Sequence, residues 1–283
     1  MNISKSNILV DEIIINALKE DIGTGDITTN ATIPASKTAA GRFIAKEDGI
    51  ICGLEICERV FKILDADIEF TANKKDGEEV KTGEIIAIVS GNARNLLTGE
   101  RTAINILQRM SGIATMTAKA AAQIAGTKAK IADTRKTTPG LRVLEKYAVK
   151  TGGGTNHRFN LADGILIKDN HIAAAGGIIK AVESARFNAP HTLKIEVECE
   201  TMKDVEDAIA AKADIIMLDN MSNEDMKKAV GFISGRALTE ASGNMGDKDL
   251  RSVAETGVDI ISIGALTHSV RSLDISLKFV LGE

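Results

Sequence analysis

The 283-residue chain contains no tryptophan and one tyrosine, and aromatic residues make up only 3% of it. Its core must therefore be built from isoleucine, valine, leucine and alanine, which suits parallel strands beneath alanine-rich helices. Binders of single-stranded nucleic acid need aromatic rings on which bases stack, and this class is disfavoured. The net charge of -4 also lacks the basic excess of a nucleic-acid-binding protein. An anion-binding site must therefore be a local basic pocket.

The cysteines do not form a recognisable disulfide or redox pattern. Cys52, Cys57 and Cys199 contain no C-x-x-C pair, and their odd number does not fit a disulfide framework. For Cys199 we favour packing over a redox role. The chain also lacks a basic N-terminal segment followed by an apolar core, and it lacks the roughly 18 apolar residues of a membrane span. These absences predict a cytoplasmic protein without a membrane partner.

The N-terminal part mixes helical and β-like patterns. Residues 8–20 have apolar side chains at helical spacing, and we expect the polar residues 21–29 after them to form a loop. Short β-like runs with turn signals fill residues 37–91; they resemble the hairpin of biotinyl carrier domains but lack a carrier lysine motif. We therefore expect a small α/β or β-rich domain. Residues 94–124 favour helix, and we expect Gly112 to divide that helix near a domain junction.

After residue 125, β-like and helical patterns alternate. Strands are predicted at residues 130–132, 164–167, 193–197, 215–218, 237–240 and 260–263. One helix is expected between Pro139 and Gly152, and Thr201, Ser222 and Asp247 are expected to cap three others. Repeated βα units predict parallel strands with right-handed crossovers, as in an α/β barrel or an open doubly wound sheet.

Nearly every predicted strand ends in a charged or glycine-rich group. These groups are Asp133-Thr134-Arg135-Lys136, Lys168-Asp169-Asn170-His171, Glu196-Val197-Glu198, Asp219-Asn220, Glu240-Ala241-Ser242-Gly243-Asn244 and Gly264-Ala265. In α/β barrels the functional residues lie at the C-terminal ends of the strands. The pattern therefore predicts a polar pocket at that end.

Cations dominate one part of this pocket. They are Arg135, Lys136, Arg158 and Lys168, with His157 and His171 nearby in sequence. Guanidinium groups match carboxylates and phosphates in bidentate fashion, so the expected ligand is polyanionic. Ion pairs with acids of the rim are the alternative. Lys168 is also a candidate Schiff-base lysine if burial lowers its pKa.

Two further features complement the cations. Glu198 and Asp219 end successive strands, where carboxylates hold Mg²⁺ or accept hydrogen bonds from sugar hydroxyls. Glu196 shares a strand face with Glu198, and the choice between them stays open. The loops Ser242-Gly243-Asn244 and Ile263-Gly264-Ala265 offer backbone N–H groups before predicted helices, as phosphate sites do. No histidine or cysteine set has zinc spacing.

Several long motifs in this region resemble one enzyme family. They are TRKTTPGLR, KYAVxxGGGxNHRxxLxDxxLIKDNHI, EVE followed by LDN, SGN, and GxxxIxIGALTHS. The motifs are similar to those of quinolinate phosphoribosyltransferases, which are type II phosphoribosyltransferases, and the resemblance begins at DIGTGDIT. Lys46 departs from the usual arginine of the family, and Ala241 from a common serine.

The resemblance implies a fold and an assembly. Residues 1–110 would form an N-terminal α/β sandwich domain, and residues 111–283 an incomplete, open α/β barrel, with residues 267–283 able to pack back on the first domain. The family also implies a homodimer or a multiple of a dimer with shared active sites. In such a dimer the neighbouring sandwich domain covers each barrel mouth.

The resemblance further implies roles for individual residues. Quinolinate would be bound by Arg135, His157, Arg158, Lys168 and the neighbouring subunit's counterpart of Arg101. Phosphoribosyl pyrophosphate would be bound at its leaving phosphates by Lys136, at its ribose and Mg²⁺ by Glu198 and Asp219, and at its 5-phosphate by Ser242, Gly243, Asn244, Gly264, Ala265 and nearby His268. Thr134, His171 and Ile263 complete the expected substrate contacts. The expected catalytic residues are Lys136, Lys168, Glu198 and Asp219.

The implied activity joins the two substrates and releases CO₂ and pyrophosphate. The product would be nicotinate mononucleotide, a precursor of NAD. One alternative is a related phosphoribosyltransferase-like protein encoded with molybdenum transporters. Another is a sensor that binds a phosphosugar without turnover, although a sensor does not need paired carboxylates beside a leaving group.

Overall fold

The computed structural model of the protein describes residues 8–280, and these form two compact units. The first unit comprises the residues up to Ala118, Thr138–Gly153 and the residues from Val270 onward. The second comprises Lys119–Thr137 and Gly154–Ser269. No helix within residues 8–280 has both the length and the apolar composition needed to cross a membrane.

The first unit combines helices with a four-stranded antiparallel sheet. Its elements are α1 (Ile8–Ile22), α2 (Ile27–Thr32), β1 (Thr38–Ala45), β2 (Gly49–Ile50), α3 (Leu54–Leu64), β3 (Glu69–Ala72), β4 (Glu79–Val80), β5 (Ile85–Asn92), most of α4 (Ala93–Gln123), α5 (Arg142–Thr151) and β12 (Ile275–Val280). The strand order is β12-β1-β5-β3. Strand β12 pairs with β1 from Ala45↔Ile275 to Ala40↔Val280.

Alternating burial along β1 shows how this sheet packs. Every second residue of Thr38–Ala45 is buried, because successive side chains of a strand point to opposite faces. The fully buried Phe43 meets the ring of Phe61 on α3 edge-on, with 6.2 Å between the ring centroids. The sheet and its helices therefore share an apolar core, as an α/β sandwich requires.

Two local predictions for this unit are wrong. Residues 21–29 are not all loop, because α2 begins at Ile27. Asp26 caps that helix by accepting a hydrogen bond from the backbone N–H of Thr29 at 2.9 Å. Gly112 does not divide the long helix: α4 is a single helix of 31 residues, and the predicted domain boundary between residues 110 and 111 falls inside it.

The second unit alternates strands with helices. Its elements after the end of α4 are β6 (Lys130–Ala132), β7 (Ile165–Ile167), α6 (Asp169–Ala175), α7 (Ile178–Asn188), β8 (Ile195–Cys199), α8 (Met202–Ala210), β9 (Ile215–Asp219), α9 (Asn223–Ile233), β10 (Leu238–Ser242), a 3₁₀ turn (Met245–Asp247), α10 (Leu250–Ala254), β11 (Ile260–Ser262) and α11 (Ala265–His268). All six predicted strands are present, with ends shifted by at most two residues.

The strand order of this unit identifies a barrel-type sheet. The six parallel strands follow the order β6-β11-β10-β9-β8-β7, so each strand from β7 to β10 lies beside the next one in the chain, and β6, the first strand of this unit, pairs with β11, its last. A doubly wound sheet would reverse its order at a switch point. Within residues 8–280, no pairing joins β6 to β7, so the barrel is incomplete. The expected fold, a sandwich and an open α/β barrel, is confirmed.

Most predicted helix caps are present. Thr201 accepts the N–H of Asp204 and begins α8, and Ser222 accepts the N–H of Asp225 and begins α9. The prediction for Asp247 is wrong, since Asp249 caps α10 by accepting the N–H of Arg251 at 3.1 Å. Asp247 instead ends the 3₁₀ turn.

Replacing Gly112 with alanine is expected to lower the free energy of unfolding by about 3 kcal/mol. A methyl group at this position would lie 2.2 Å from the carbonyl oxygen of Arg271, so the backbone would have to shift. Gly231, in the interior of α9, is the matched control because nothing lies within 4 Å of the same group. Gly231→Ala should gain about 0.5–1 kcal/mol. Chemical denaturation measures both changes, and a gain in both variants would disprove the close contact.

Candidate active site

A cavity of about 520 Å³ lies at the C-terminal ends of the barrel strands. Most of the predicted site residues line it, namely Thr134, Arg135, Lys136, His157, Arg158, Lys168, Glu198, Asp219, Ser242, Gly243 and Asn244. The lining also includes Leu166, Met217, Asn220, Glu240 and Ser262, to which sequence analysis gave no role. The structure therefore brings the cations, the acids and the first glycine loop into one pocket.

The pocket has two layers, because alternate residues of a strand point into the barrel. Side chains near the strand ends form the upper layer: Lys168, Glu198, Asp219 and Ser242. Side chains two residues earlier form the floor: Leu166, Met217 and Glu240, with Ser262 on β11. Glu196, at the equivalent position of β8, is buried and pairs with His157. Four of the five residues without a predicted role belong to this floor. Counting two residues back from Lys168, Asp219 and Ser242 would have indicated three of them, Leu166, Met217 and Glu240.

The cations of the upper layer are accessible. The ammonium of Lys168 lies 2.8 Å from Glu198, and its side chain is 47% exposed. The burial required for a Schiff-base lysine is therefore absent. Arg158 donates one hydrogen bond to the carbonyl of Gly164 at 2.9 Å. Burial and the nearby charge of Arg135 lower the pKa of Arg158, and the charge of Glu196 opposes this shift.

His157 is fixed by contacts at both ring nitrogens. Its Nδ1 accepts the backbone N–H of Arg158 at 2.8 Å, so the hydrogen-bond network assigns the ring proton to Nε2. That nitrogen lies 3.0 Å from a carboxylate oxygen of Glu196. The fully buried carboxylate of Asp133 accepts the backbone N–H of His157 at 2.9 Å. His157 is thus bound into the pocket floor and holds the backbone of Arg158.

The floor contains a second buried acid, Glu240. It is 2% exposed, and its Oε1 atom has no hydrogen-bond partner. The distance from this atom to Nε2 of His157 is 3.7 Å. Burial and the negative charge of Glu196 raise the pKa of Glu240 to about 7. Two carboxylates that share one imidazole donor cannot both be stable as anions in a buried site.

The acids of the upper layer form a separate group. Glu198, Glu200 and Asp219 each present a carboxylate oxygen, and these oxygens lie within 4.8 Å of one another. The structure distinguishes the two glutamates of β8, since Glu198 lines the pocket and Glu196 pairs with His157. An oxygen-only donor set that is open to solvent fits Mg²⁺, which keeps several waters and substrate oxygens.

The first glycine loop depends on a close backbone approach. A methyl group at Gly243, whose φ is +96°, would lie 2.2 Å from the side-chain oxygen of Asn220 and 2.8 Å from its backbone nitrogen. Only glycine allows this contact. The elements that follow the two loops are shorter than predicted, with three residues in Met245–Asp247 and four in α11. Backbone N–H groups, rather than a strong helix dipole, are therefore what these loops offer an anion.

Several predicted site residues do not line the cavity. The expectation that Ile263 offers its amide is wrong, because that N–H donates to the carbonyl of Ala132 at 2.9 Å. Gly264 packs between Lys136 and His268, next to Ala265 at the start of α11. The Nδ1 atom of His171 accepts the backbone N–H of Lys168 at 3.0 Å. Arg101 is an exposed residue of α4 in the first unit.

Comparisons with known proteins agree on one family. Residues 26–111 match the model of the quinolinate phosphoribosyl transferase N-terminal domain, and residues 113–278 match that of the C-terminal domain. A probable nicotinate-nucleotide pyrophosphorylase (carboxylating) of Bacillus subtilis is 48% identical over 264 residues, which cover 93% of this chain and 91% of the relative.

Solved structures give the same result. NadC from Streptococcus pyogenes has a TM-score of 0.92 and 43% identity, with 99% of both chains covered. The nicotinate-nucleotide pyrophosphorylase from Francisella tularensis has a TM-score of 0.93 and 41% identity, covering 99% of this chain and 98% of that one. The chain belongs to the quinolinate phosphoribosyl transferase family.

Proposed function

We propose that the protein transfers the phosphoribosyl group of phosphoribosyl pyrophosphate to quinolinate, with decarboxylation, to give nicotinate mononucleotide for NAD biosynthesis. One observation carries the proposal: a single cavity holds two guanidinium groups and two ammonium groups beside the acids Glu198 and Asp219. A pyridine dicarboxylate needs the former, and a ribose with a leaving pyrophosphate needs the latter. The names of the relatives support the same reaction.

Arg135, Arg158 and Lys168 are proposed to bind the two carboxylates of quinolinate. Guanidinium groups bind carboxylates in bidentate fashion, and a dianion between Arg135 and Arg158 would relieve their mutual repulsion. His157 contributes by holding Arg158 in place, because its own ring nitrogens are engaged by Arg158 N–H and Glu196.

Phosphoribosyl pyrophosphate is proposed to bind in the outer part of the pocket. Glu198 and Asp219 would accept hydrogen bonds from the ribose hydroxyls, and Lys136 would contact the pyrophosphate. The 5-phosphate would bind at the two glycine loops, at Ser242, Gly243, Asn244, Gly264 and Ala265, near His268. The hydroxyl of Thr267 donates to the carbonyl of Lys136 at 2.8 Å and holds this lysine beside Gly264.

Mg²⁺ is the proposed cofactor, held by Glu198 and Asp219 together with water and substrate oxygens. When bound, it supplies positive charge that stabilises the leaving pyrophosphate. Lys136 is proposed to neutralise the same leaving group as positive charge develops at C1 of the ribose. The pyridine nitrogen then attacks C1, and the positive charge of the quaternised nitrogen stabilises the electron pair that stays on C2 when the carboxylate departs as CO₂.

We also propose a cytoplasmic homodimer, or a multiple of it, in which Arg101 of one subunit reaches quinolinate in the other. The exposure of Arg101 on α4 supports a role outside its own unit. Cys52, Cys57 and Cys199 are free and buried, which suits a reducing compartment. Burial raises the pKa of the Cys199 thiol, in keeping with a packing role.

The activity is tested with the purified protein, quinolinate labelled at the C2 carboxyl, phosphoribosyl pyrophosphate and Mg²⁺. Labelled CO₂ and nicotinate mononucleotide should form in equal amounts, and chelation of Mg²⁺ should stop the reaction. Tight binding of phosphoribosyl pyrophosphate without release of CO₂ would contradict the proposal and favour a sensor.

Replacing Arg135 with alanine should weaken the binding of quinolinate about 10- to 100-fold, because a charge-assisted hydrogen bond contributes about 1.5–3 kcal/mol. The binding of nicotinate, which lacks the C2 carboxylate, should be weakened much less. Calorimetry measures both dissociation constants, with Arg251→Ala on α10 as the control arginine. Equal losses of affinity for the two ligands would show that Arg135 does not bind the C2 carboxylate.

Shared active sites are tested by mixing two inactive variants, Arg101→Ala and Lys168→Ala, after unfolding and refolding them together. In a symmetric dimer with shared sites, mixed dimers contain one intact site, so the mixture should recover roughly a quarter of wild-type activity. Mass spectrometry verifies that mixed dimers have formed. Mixed dimers without activity would contradict the proposed role of Arg101.

A further inference from the structure

The proposed reaction requires a proton donor for C2 of the pyridine ring, and none of the residues assigned so far has this role. When the C2–carboxylate bond breaks, its electron pair stays on C2 beside the quaternised nitrogen, and CO₂ leaves. The product carries hydrogen at C2, so one proton must be delivered there. The donor must line the pocket, carry a proton at neutral pH and regain it from water after each turnover.

Most groups of the pocket do not meet these conditions. Arginine side chains do not give up protons in proteins, which excludes Arg135 and Arg158. Lys168 and Lys136 are already assigned to a quinolinate carboxylate and to the pyrophosphate, and Lys168 also donates to Glu198 in the upper layer. The only ring proton of His157 lies on Nε2 and is donated to Glu196, because Nδ1 accepts the N–H of Arg158.

Glu240 meets them. It lines the cavity from the floor layer, is 2% exposed, and keeps its Oε1 atom without a hydrogen-bond partner. The imidazole proton goes to Glu196 at 3.0 Å rather than to Glu240 at 3.7 Å, so Glu240 receives no compensating donor from His157. A desolvated carboxyl with one oxygen lacking a hydrogen-bond partner is favoured in its neutral form.

We propose that Glu240 delivers the proton to C2 of the pyridine ring after CO₂ has left, an inference that rests on the proposed function. The O–H bond of Glu240 breaks, its electron pair stays on the carboxylate, and the electron pair on C2 forms the new C–H bond. Water that enters after product release returns the proton to Glu240.

The charges around Glu240 suit this cycle. Glu196 on β8 and Asp133 after β6 raise its pKa, while His157 and the hydroxyl of Ser262 on β11 lower it. The net value of about 7 leaves the acid form populated at neutral pH and allows its return from water. Because the acid form is required, protonation of C2, and with it mononucleotide formation, should be fast below this pKa and slow as the pH rises through it.

Glu240→Gln tests the inference in single turnovers that follow pyrophosphate release and nicotinate mononucleotide formation separately. Glutamine keeps the shape of glutamate but has no carboxyl proton. Pyrophosphate release should stay within about threefold of wild type, and mononucleotide formation should fall at least about 100-fold, the lower end for general acid catalysis. Glu240→Asp, which retains an acid, should recover part of the rate. Glu183→Gln, on the exposed side of α7, should change neither signal.

The pH profile of the wild-type protein gives a second test, and the profile of Glu240→Gln shows whether this residue is responsible. The wild-type rate of mononucleotide formation should decline through a pH of about 7, and Glu240→Gln should lack this decline. A flat wild-type profile between about pH 6 and 8, or a variant that forms the mononucleotide within threefold of wild type, would overturn the role of Glu240. Equal losses of pyrophosphate release and of mononucleotide formation would also overturn this role, because they indicate impaired substrate binding. If the wild-type protein releases no CO₂, the proposed function fails and this inference fails with it.

Discussion

Parallel strands of one sheet bring all their carboxyl ends to the same edge and point every second side chain inward, and the site depends on this constraint. It places Lys168, Glu198 and Asp219 in one layer although they come from three different strands. The same period sets a second layer two residues deeper. Strand geometry thus separates the pocket into an accessible outer layer and a buried floor with different dielectric surroundings.

Burial raises the pKa of the floor acid Glu240. A carboxylate removed from water is unstable unless it is paired, and one imidazole cannot compensate two carboxylates. Glu196 has the closer contact with His157, and Glu240 keeps the raised pKa. Glu198 and Asp219, which are closer to solvent, remain suitable for oxygen-rich ligands. Depth separates the outer acids from the buried acids, and the contact with His157 separates Glu196 from Glu240.

The sequence predicted most of this arrangement, because strand ends and their charged residues are local features. The six barrel strands and the outer layer follow from them. Glu240 received no role because its importance comes from desolvation and from Glu196 on another strand. Gly112 was misjudged because helix propensity is local, whereas its contact with Arg271 is made by a residue far along the chain. The place of Arg101 in a dimer depends on a second chain, which no local pattern describes.

The pairing of β12 with β1 constrains how the protein is made. On the ribosome, β1, β5 and β3 emerge early, but one edge of β1 stays unpaired until the entire barrel has been translated. An unpaired strand edge is a template for association with other chains. The nascent protein therefore exposes the unpaired edge of β1 throughout most of its synthesis, until β12 pairs with it. The need for chaperones during translation should accordingly depend on the sandwich domain, although the candidate active site lies in the barrel.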